Sequence, residues 1–114
     1  MQSWNLNEIE TPLGTRSPVV LRSDPIARAV LIALHPGQRL GDHQVKEGAT
    51  ISVIDGAVRV ESGGEVIEAG VGHAFSFDPD ERRSISTESG ARLLMVFSPW
   101  PGEGHYRGDR KSVV

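Results

Sequence analysis

The sequence predicts an all-β fold, and three observations support this prediction. The chain of 114 residues contains 13 glycines and 7 prolines, and both residue types favour turns. Apolar residues at helical spacing are hard to find. Short apolar or alternating runs instead follow one another at even spacing, with turn residues between them. Such a pattern is typical of an antiparallel sandwich or a small barrel.

Eight or nine strands are predicted in order along the chain. They cover residues 19–21, 27–34, 42–46, 50–54, 57–61, 65–68, 73–77, 82–87 and 91–98. Residues 27–34 are apolar on both faces after Arg28, which predicts a strand buried between two layers. Asp55-Gly56 lies between two alternating runs and predicts a β-hairpin, and Ser62-Gly63-Gly64 predicts a second turn.

Composition and charge exclude several classes of protein. Cysteine is absent, which excludes disulfide scaffolds and thiolate sites. The net charge of −3 argues against a nucleic-acid partner or an anionic membrane, because both need a basic excess. Residues 1–8 lack the pattern of a secretory signal, and no long apolar run suits a membrane span. We therefore expect a cytoplasmic protein without a membrane or nucleic-acid partner.

Two segments of the chain resemble the conserved motifs of the cupin superfamily. The first motif has a glycine, five residues, a His-x-His pair, a glutamate and a closing glycine. Here Gly37, His43 and Gly56 stand at the matching positions. Residues 72–83 have the spacing of the second motif. The whole chain is similar to small single-domain bacterial RmlC-like cupins.

This resemblance implies an all-β cupin fold, a double-stranded β-helix or jelly-roll barrel. One domain would span residues 1–114, with a barrel core at about 18–98. Residues 1–17 would form an N-terminal arm and residues 99–114 a C-terminal tail. The resemblance also implies a homodimer. In the tail, Trp100, Tyr106 and Arg107 are candidates to fold over the barrel mouth or to form a dimer contact.

The family's metal-ligand positions fall on His43, Val45, Ala49 and Arg83. Val45 and Ala49 have no lone pair, and Arg83 is a permanent cation that would repel a metal ion. A catalytic metal site needs about three protein ligands. The sequence therefore predicts no metal site, and no other cofactor is expected.

His43 and Arg83 are the candidate catalytic and ligand-binding polar residues. By family geometry His43 points into the barrel, as a general base or as the remnant of an ancestral metal site. An inward Arg83 could clamp a carboxylate or phosphate, or contact an oxyanion. If the register slips by one residue, Ser84 faces inward instead and Arg83 lies on the surface.

Apolar side chains are predicted to complete the ligand site. The predicted lining residues are Val45, Ala49, Ile51, Phe75, Phe77, Met95 and Phe97. Such a set suits a small-molecule pocket and equally suits a filled core, so both interpretations stay open. Asp42, Lys46 and Glu47 flank His43 and are expected to form a solvated strand end.

Metal-free binding of a small, anionic organic molecule is the function that these residues favour. One alternative is a metal-independent isomerase, dehydratase or cyclase, in which His43 abstracts a proton and Arg83 stabilises the oxyanion. Another is a metal-dependent, dioxygenase-like enzyme, which would need ligands in addition to His43. Whether the protein is an enzyme stays open.

Overall fold

The structure, a computed structural model, describes residues 1–43 and 46–101, with only the backbone described at residues 15, 16 and 41–43. These ranges contain nine strands and no helix, so none of their segments is a helix that could cross a membrane. The strands are β1 (Gly14–Ser23), β2 (Arg28–Leu34), β3 (Arg39–His43), β4 (Gly48–Gly56), β5 (Val58–Ser62), β6 (Glu65–Ala69), β7 (Ala74–Phe77), β8 (Arg83–Ser86) and β9 (Ala91–Ser98).

The strands form two antiparallel sheets that share one core. One sheet has the order β1-β2-β9-β4-β7 and the other β3-β8-β5-β6. Strands β4 and β9 alternate buried and more exposed residues, as strands with one face toward a core do. Ile32 and Leu93 of the first sheet and Val60 and Ile85 of the second belong to one buried cluster. The prediction of an all-β sandwich is therefore confirmed.

Strand β2 is buried on both faces, as its sequence predicts. Leu31 and Ala33, which lie on the face away from the core cluster, are 0% and 3% exposed. Beside them, Arg92 donates through Nη2 to the backbone oxygens of Leu6 and Ile9, each at 2.8 Å. Arg92 is the Cα partner of Ala33. The N-terminal segment is thus held next to the outer face of the five-stranded sheet.

The predicted N-terminal arm is shorter than expected. Strand β1 begins at Gly14, inside the range 1–17, and pairs with β2 along its length with two register shifts. The pairing of Gly14 with Ala33 extends the sheet toward the N-terminus. Regular structure therefore starts earlier than the alternation of apolar residues indicates.

The turn predicted at Ser62-Gly63-Gly64 is present and closes a tight hairpin. It joins β5 to β6, and Ser62 is the Cα partner of Glu65. Both glycines have a positive φ, 57° and 84°. Two-residue turns with positive φ at both positions match the twist of the strands they connect.

The hairpin predicted at Asp55-Gly56 is wrong. Strand β4 pairs with β7 and β9, whereas β5 pairs with β6 and β8, so the chain changes sheets here. Gly56 has a φ of 76°, and a Cβ atom there would overlap the carbonyl oxygen of Gly90 and lie 2.9 Å from Cα of Ala91. Glycine is required because another backbone segment passes against it.

Replacing Gly56 with alanine should therefore destabilise the protein much more than the same change at Gly64. Gly64 also has a positive φ, but a Cβ atom there would meet nothing within 4 Å. We expect Gly64→Ala to lower the free energy of unfolding by about 1 kcal/mol and Gly56→Ala by about 3 kcal/mol or more. Urea unfolding followed by circular dichroism measures both. Equal losses would contradict the close approach at Gly56.

Candidate functional site

One end of the sandwich brings the two motif regions together. In the five-stranded sheet, Ala49 lies between its Cα partners Phe97 and Phe77. In the four-stranded sheet, β3 ends where β8 begins, and His43 is the Cα partner of Arg83. The two sheets meet where Cζ of Arg83 lies 4.9 Å from the ring centroid of Phe77. Residues far apart in sequence thus converge at this end.

Arg83 points between the sheets. Its side chain is 5% exposed and shares a face of β8 with the core residue Ile85. Ser84 lies on the opposite face, where its Oγ accepts a hydrogen bond of 2.9 Å from Nε of Arg39. The slipped register, with Arg83 on the surface, is therefore not the one observed.

The guanidinium of Arg83 is buried without hydrogen-bond acceptors for all of its donors. Its Nη1 atom is buried and has no hydrogen-bond partner within residues 1–43 and 46–101. Burial lowers the pKa of Arg83, while the carboxylates of Glu81 and Glu47 act in the opposite direction. Leaving a buried donor unsatisfied costs about 1–3 kcal/mol. An acceptor brought by a ligand would remove that cost.

Glu47 is a site residue that the sequence analysis missed. It was expected in a solvated strand end, but its side chain is 0% exposed. Glu47 lies in the bend directly before β4, and the spacing of two between the buried Ala49 and Ile51 continues back to it. Extending that alternation beyond the apolar residues would have found it.

The bend at residues 46 and 47 forms a salt bridge with the turn between β7 and β8. Lys46, which is partly exposed, forms a salt bridge of 3.0 Å with Asp80 through Nζ and Oδ1. Glu81 accepts hydrogen bonds from Oγ of Ser62 at 2.7 Å and from the backbone N of Asp78 at 3.0 Å. These contacts fix the segments that carry Glu47 and Arg83 relative to each other.

The apolar residues predicted to line the site form two rows on the five-stranded sheet. Ile51, Met95 and Phe97 are at most 1% exposed, so other core side chains cover them in this conformation. The remaining three are Ala49, Phe75 and Phe77. Ala49 and Phe77 are 3% and 6% exposed and are Cα partners, and Phe75 is only partly buried. Val45 lies outside the described residues, and for His43 only the backbone position is described.

Trp100 follows β9 and covers part of the same end of the core. Its ring centroid lies 5.8 Å from that of Phe97, and Cζ of Arg28 lies 4.9 Å from the tryptophan ring. Trp100 thus packs against the core. Tyr106 and Arg107 lie outside the described residues.

The residues present do not fit the metal site that the cupin motifs imply. Ala49 occupies the glutamate position inside the core and offers no lone pair. Arg83 places a cation where the second motif supplies a ligand. Among the side chains that the structure describes, no three His, Asp or Glu residues come together as a metal-binding group.

Comparison with solved structures identifies the fold. An RmlC-like cupin from Desulfovibrio desulfuricans superposes with a TM-score of 0.74 at 19% identity, over 87% of this chain and 97% of its own. A protein with a double-stranded β-helix domain from Klebsiella pneumoniae gives 0.74 at 20% identity, over 90% and 94%. KdgF from a Halomonas species gives 0.67 at 25% identity, over 73% and 77%. No protein-family profile and no curated protein matches the sequence.

These similarities confirm the fold prediction, and the chain is a cupin-fold protein. Its two sheets form the double-stranded β-helix that the resemblance of the two motifs implies. A fold hosts many functions, so the activity has to be argued from the site.

The hydrogen bonds to Glu81 predict a pH dependence of stability. They lower the pKa of Glu81 below its ordinary value of 4.5, with the bond from Ser62 as the largest cause. A lowered pKa in the folded state stabilises the protein above pH 4.5, and that contribution is lost as the pH falls through the lowered value. Glu81→Gln should therefore be less stable than the wild type at pH 7, and the difference should shrink in acid.

Urea unfolding of both proteins between pH 7 and pH 3 measures this difference. Glu88→Gln, which changes an exposed carboxylate, is the matched control. A difference between wild type and Glu81→Gln that stays constant over the whole pH range would contradict the assignment.

Proposed function

We propose that the protein binds a small organic anion at this end of the barrel, without a metal ion, and that Arg83 receives its carboxylate. The observation that carries the proposal is the buried Nη1 atom of Arg83, which has no hydrogen-bond partner among the described residues. A carboxylate is the acceptor that best matches a guanidinium, because two parallel N–H···O bonds form at once. The surroundings strengthen such a bond, since charges interact more strongly in an apolar interior than in water.

Two aromatic rings support this assignment. The ring of Phe77 lies against the guanidinium of Arg83, with 4.9 Å between Cζ and the ring centroid, and a cation is attracted to the face of an aromatic ring. Phe75 packs edge-on against Phe77, with 5.7 Å between ring centroids, and is only partly buried. Apolar walls with one or two convergent polar groups are the usual composition of a small-molecule site.

Removing the guanidinium should weaken the binding of small acids. We expect a thermal-shift screen of small carboxylates to yield stabilising ligands and expect Arg83→Met to weaken their binding at least about tenfold, because a charged hydrogen bond is lost. Arg59→Met is the matched control, since Arg59 is 51% exposed and bound to Glu61 on the surface.

Metal content provides an independent check on the same proposal. Treatment with a chelator should leave the thermal shift unchanged, because no step of binding uses a metal. Stoichiometric iron, manganese, nickel or zinc in the purified protein would overturn metal-free binding. Equal affinity of the wild type and Arg83→Met for the same acid would overturn the role of Arg83.

A second candidate function is a metal-independent isomerase, dehydratase or cyclase with His43 as the general base. The observation that favours it is the pairing of His43 with Arg83 in the adjacent strands β3 and β8, which places a residue that can accept a proton next to a cation in the sheet. Here Arg83 would stabilise the negative charge that forms on the substrate when His43 removes a proton.

Substitution of His43 distinguishes the enzyme from the binding protein. Under the enzyme hypothesis, His43→Ala should retain affinity for the acid and lose turnover about 100-fold or more, as expected when a general base is removed. Turnover is followed by nuclear magnetic resonance of the bound acid in deuterated water, where proton removal exchanges hydrogen for deuterium. Exchange at the wild-type rate in His43→Ala would exclude His43 as the base.

A further inference from the structure

A second arginine lies at the same end of the barrel as Arg83. Arg28 is the first residue of β2 and shares a face of that strand with the core residue Val30. Its Nε atom is buried and has no hydrogen-bond partner within residues 1–43 and 46–101, and the same is true of Nη1 of Arg83. Each arginine therefore has a buried donor that the described part of the chain leaves unsatisfied.

One row of paired residues runs between the two arginines across the five-stranded sheet. The successive Cα partners in this row are Arg28, Phe97, Ala49 and Phe77. Residues paired in this way point to the same face of a sheet, and the ring of Phe77 contacts the guanidinium of Arg83. Neighbouring strands lie about 4.8 Å apart, so the row is about 14 Å long from Cα of Arg28 to Cα of Phe77. The two arginines thus lie at opposite ends of the row.

An aromatic ring lies against each guanidinium. Cζ of Arg28 is 4.9 Å from the ring centroid of Trp100, and Cζ of Arg83 is 4.9 Å from that of Phe77. Trp100 packs against Phe97, with 5.8 Å between their ring centroids, so the ring beside Arg28 belongs to that end of the row. These contacts keep the two cations apart, which favours a ligand with two acidic groups over one small anion.

The polar contacts at this end of the barrel define which donors remain. Nη1 of Arg28 donates to Oγ of Ser23 at 3.2 Å, which leaves the Nε side of that guanidinium. Glu47 and Glu81 are the carboxylates that act on Arg83, and both have interactions within the protein. Among the described residues, the buried side-chain donors without a partner are therefore Nε of Arg28 and Nη1 of Arg83.

The residues between the two arginines are apolar. Ala49 and Phe97 belong to the buried core cluster and offer no polar side-chain group. Burying a polar group without a partner is costly, so a ligand that spans the row should have acidic groups at its ends and an apolar chain between them.

We propose that the ligand is a small dicarboxylate, which binds Arg83 through one carboxylate and Arg28 through the other. This inference rests on the proposed function, because it keeps Arg83 as the first carboxylate contact and adds Arg28 as the second. Carboxylates match the planar donor edges of both guanidinium groups. The same acid with one carboxylate blocked would be a poorer ligand, because it leaves the donor of Arg28 unsatisfied.

A series of diacids tests the proposal by isothermal titration calorimetry at pH 7. The series is succinate, glutarate, adipate, pimelate and suberate, and each diacid is compared with its monomethyl ester. We expect the affinity to peak at one chain length, since the folded sheet holds the two arginines a fixed distance apart. We expect the best diacid to bind about tenfold or more tightly than its ester, because it gains a charged hydrogen bond.

Substitution of Arg28 assigns this preference to its guanidinium. Arg28→Met should reduce the affinity of the best diacid to that of its monomethyl ester and leave the affinity of the ester unchanged. Arg83→Met should weaken the binding of both compounds. Arg59→Met removes an arginine that is 51% exposed and should change neither affinity. The wild-type ratio of diacid to ester decides the proposal even if Arg28→Met fails to fold.

The outcomes separate this inference from the proposed function. Monomethyl esters that bind as tightly as their diacids at every chain length would overturn the dicarboxylate assignment and leave Arg83 as an anion site. Inorganic phosphate that binds as tightly as the best diacid would do the same, because a single small anion would then satisfy the site. An unchanged ratio in Arg28→Met would overturn the role of Arg28. Absence of binding by every acid in the series would overturn both proposals.

Discussion

The period-two alternation of β4 against β9 is the constraint on which the rest of the structure depends. It places Ile51 and Val53 in the core and leaves Thr50 outside, so a slip of one residue would exchange buried and exposed side chains along the whole strand. The same register aligns Phe97, Ala49 and Phe77 in one row. The row ends at Phe77, whose ring contacts the guanidinium of Arg83, so the register of β4 also positions the candidate site.

Local pattern predicted the number of strands and most of their positions, but β1 begins at Gly14 instead of residue 19 and β3 covers Arg39–His43 instead of 42–46. It did not predict which strands pair. The range 91–98 was predicted to the residue, because it is a long apolar run bounded by Gly90 and Pro99. Asp55-Gly56 has the sequence of a hairpin turn, yet β4 pairs with strands far along the chain. A glycine that tolerates a positive φ can serve a tight turn or a change of sheet, and only the distant backbone at Gly90 distinguishes the two.

The sequence predicted which residues meet at the candidate site, but it did not predict which charged side chains are buried there. Two motifs and their spacing put Arg83 opposite His43, but either face of β8 was compatible with the sequence, and burial decides for the inside. Glu47 was judged by its residue type, because a charged side chain is seldom fully buried.

The position of β9 at the centre of its sheet has a consequence for synthesis on the ribosome. β9 is made after the other eight strands of the described chain, yet both β2 and β4 need it as a partner. The apolar residues of β2 therefore lack their β9 partners until β9 has been synthesised. The same holds for the N-terminal segment, whose backbone accepts hydrogen bonds from Arg92 of β9. Long-range pairing of this kind folds slowly, so the apolar edge of β2 stays exposed until β9 pairs with it.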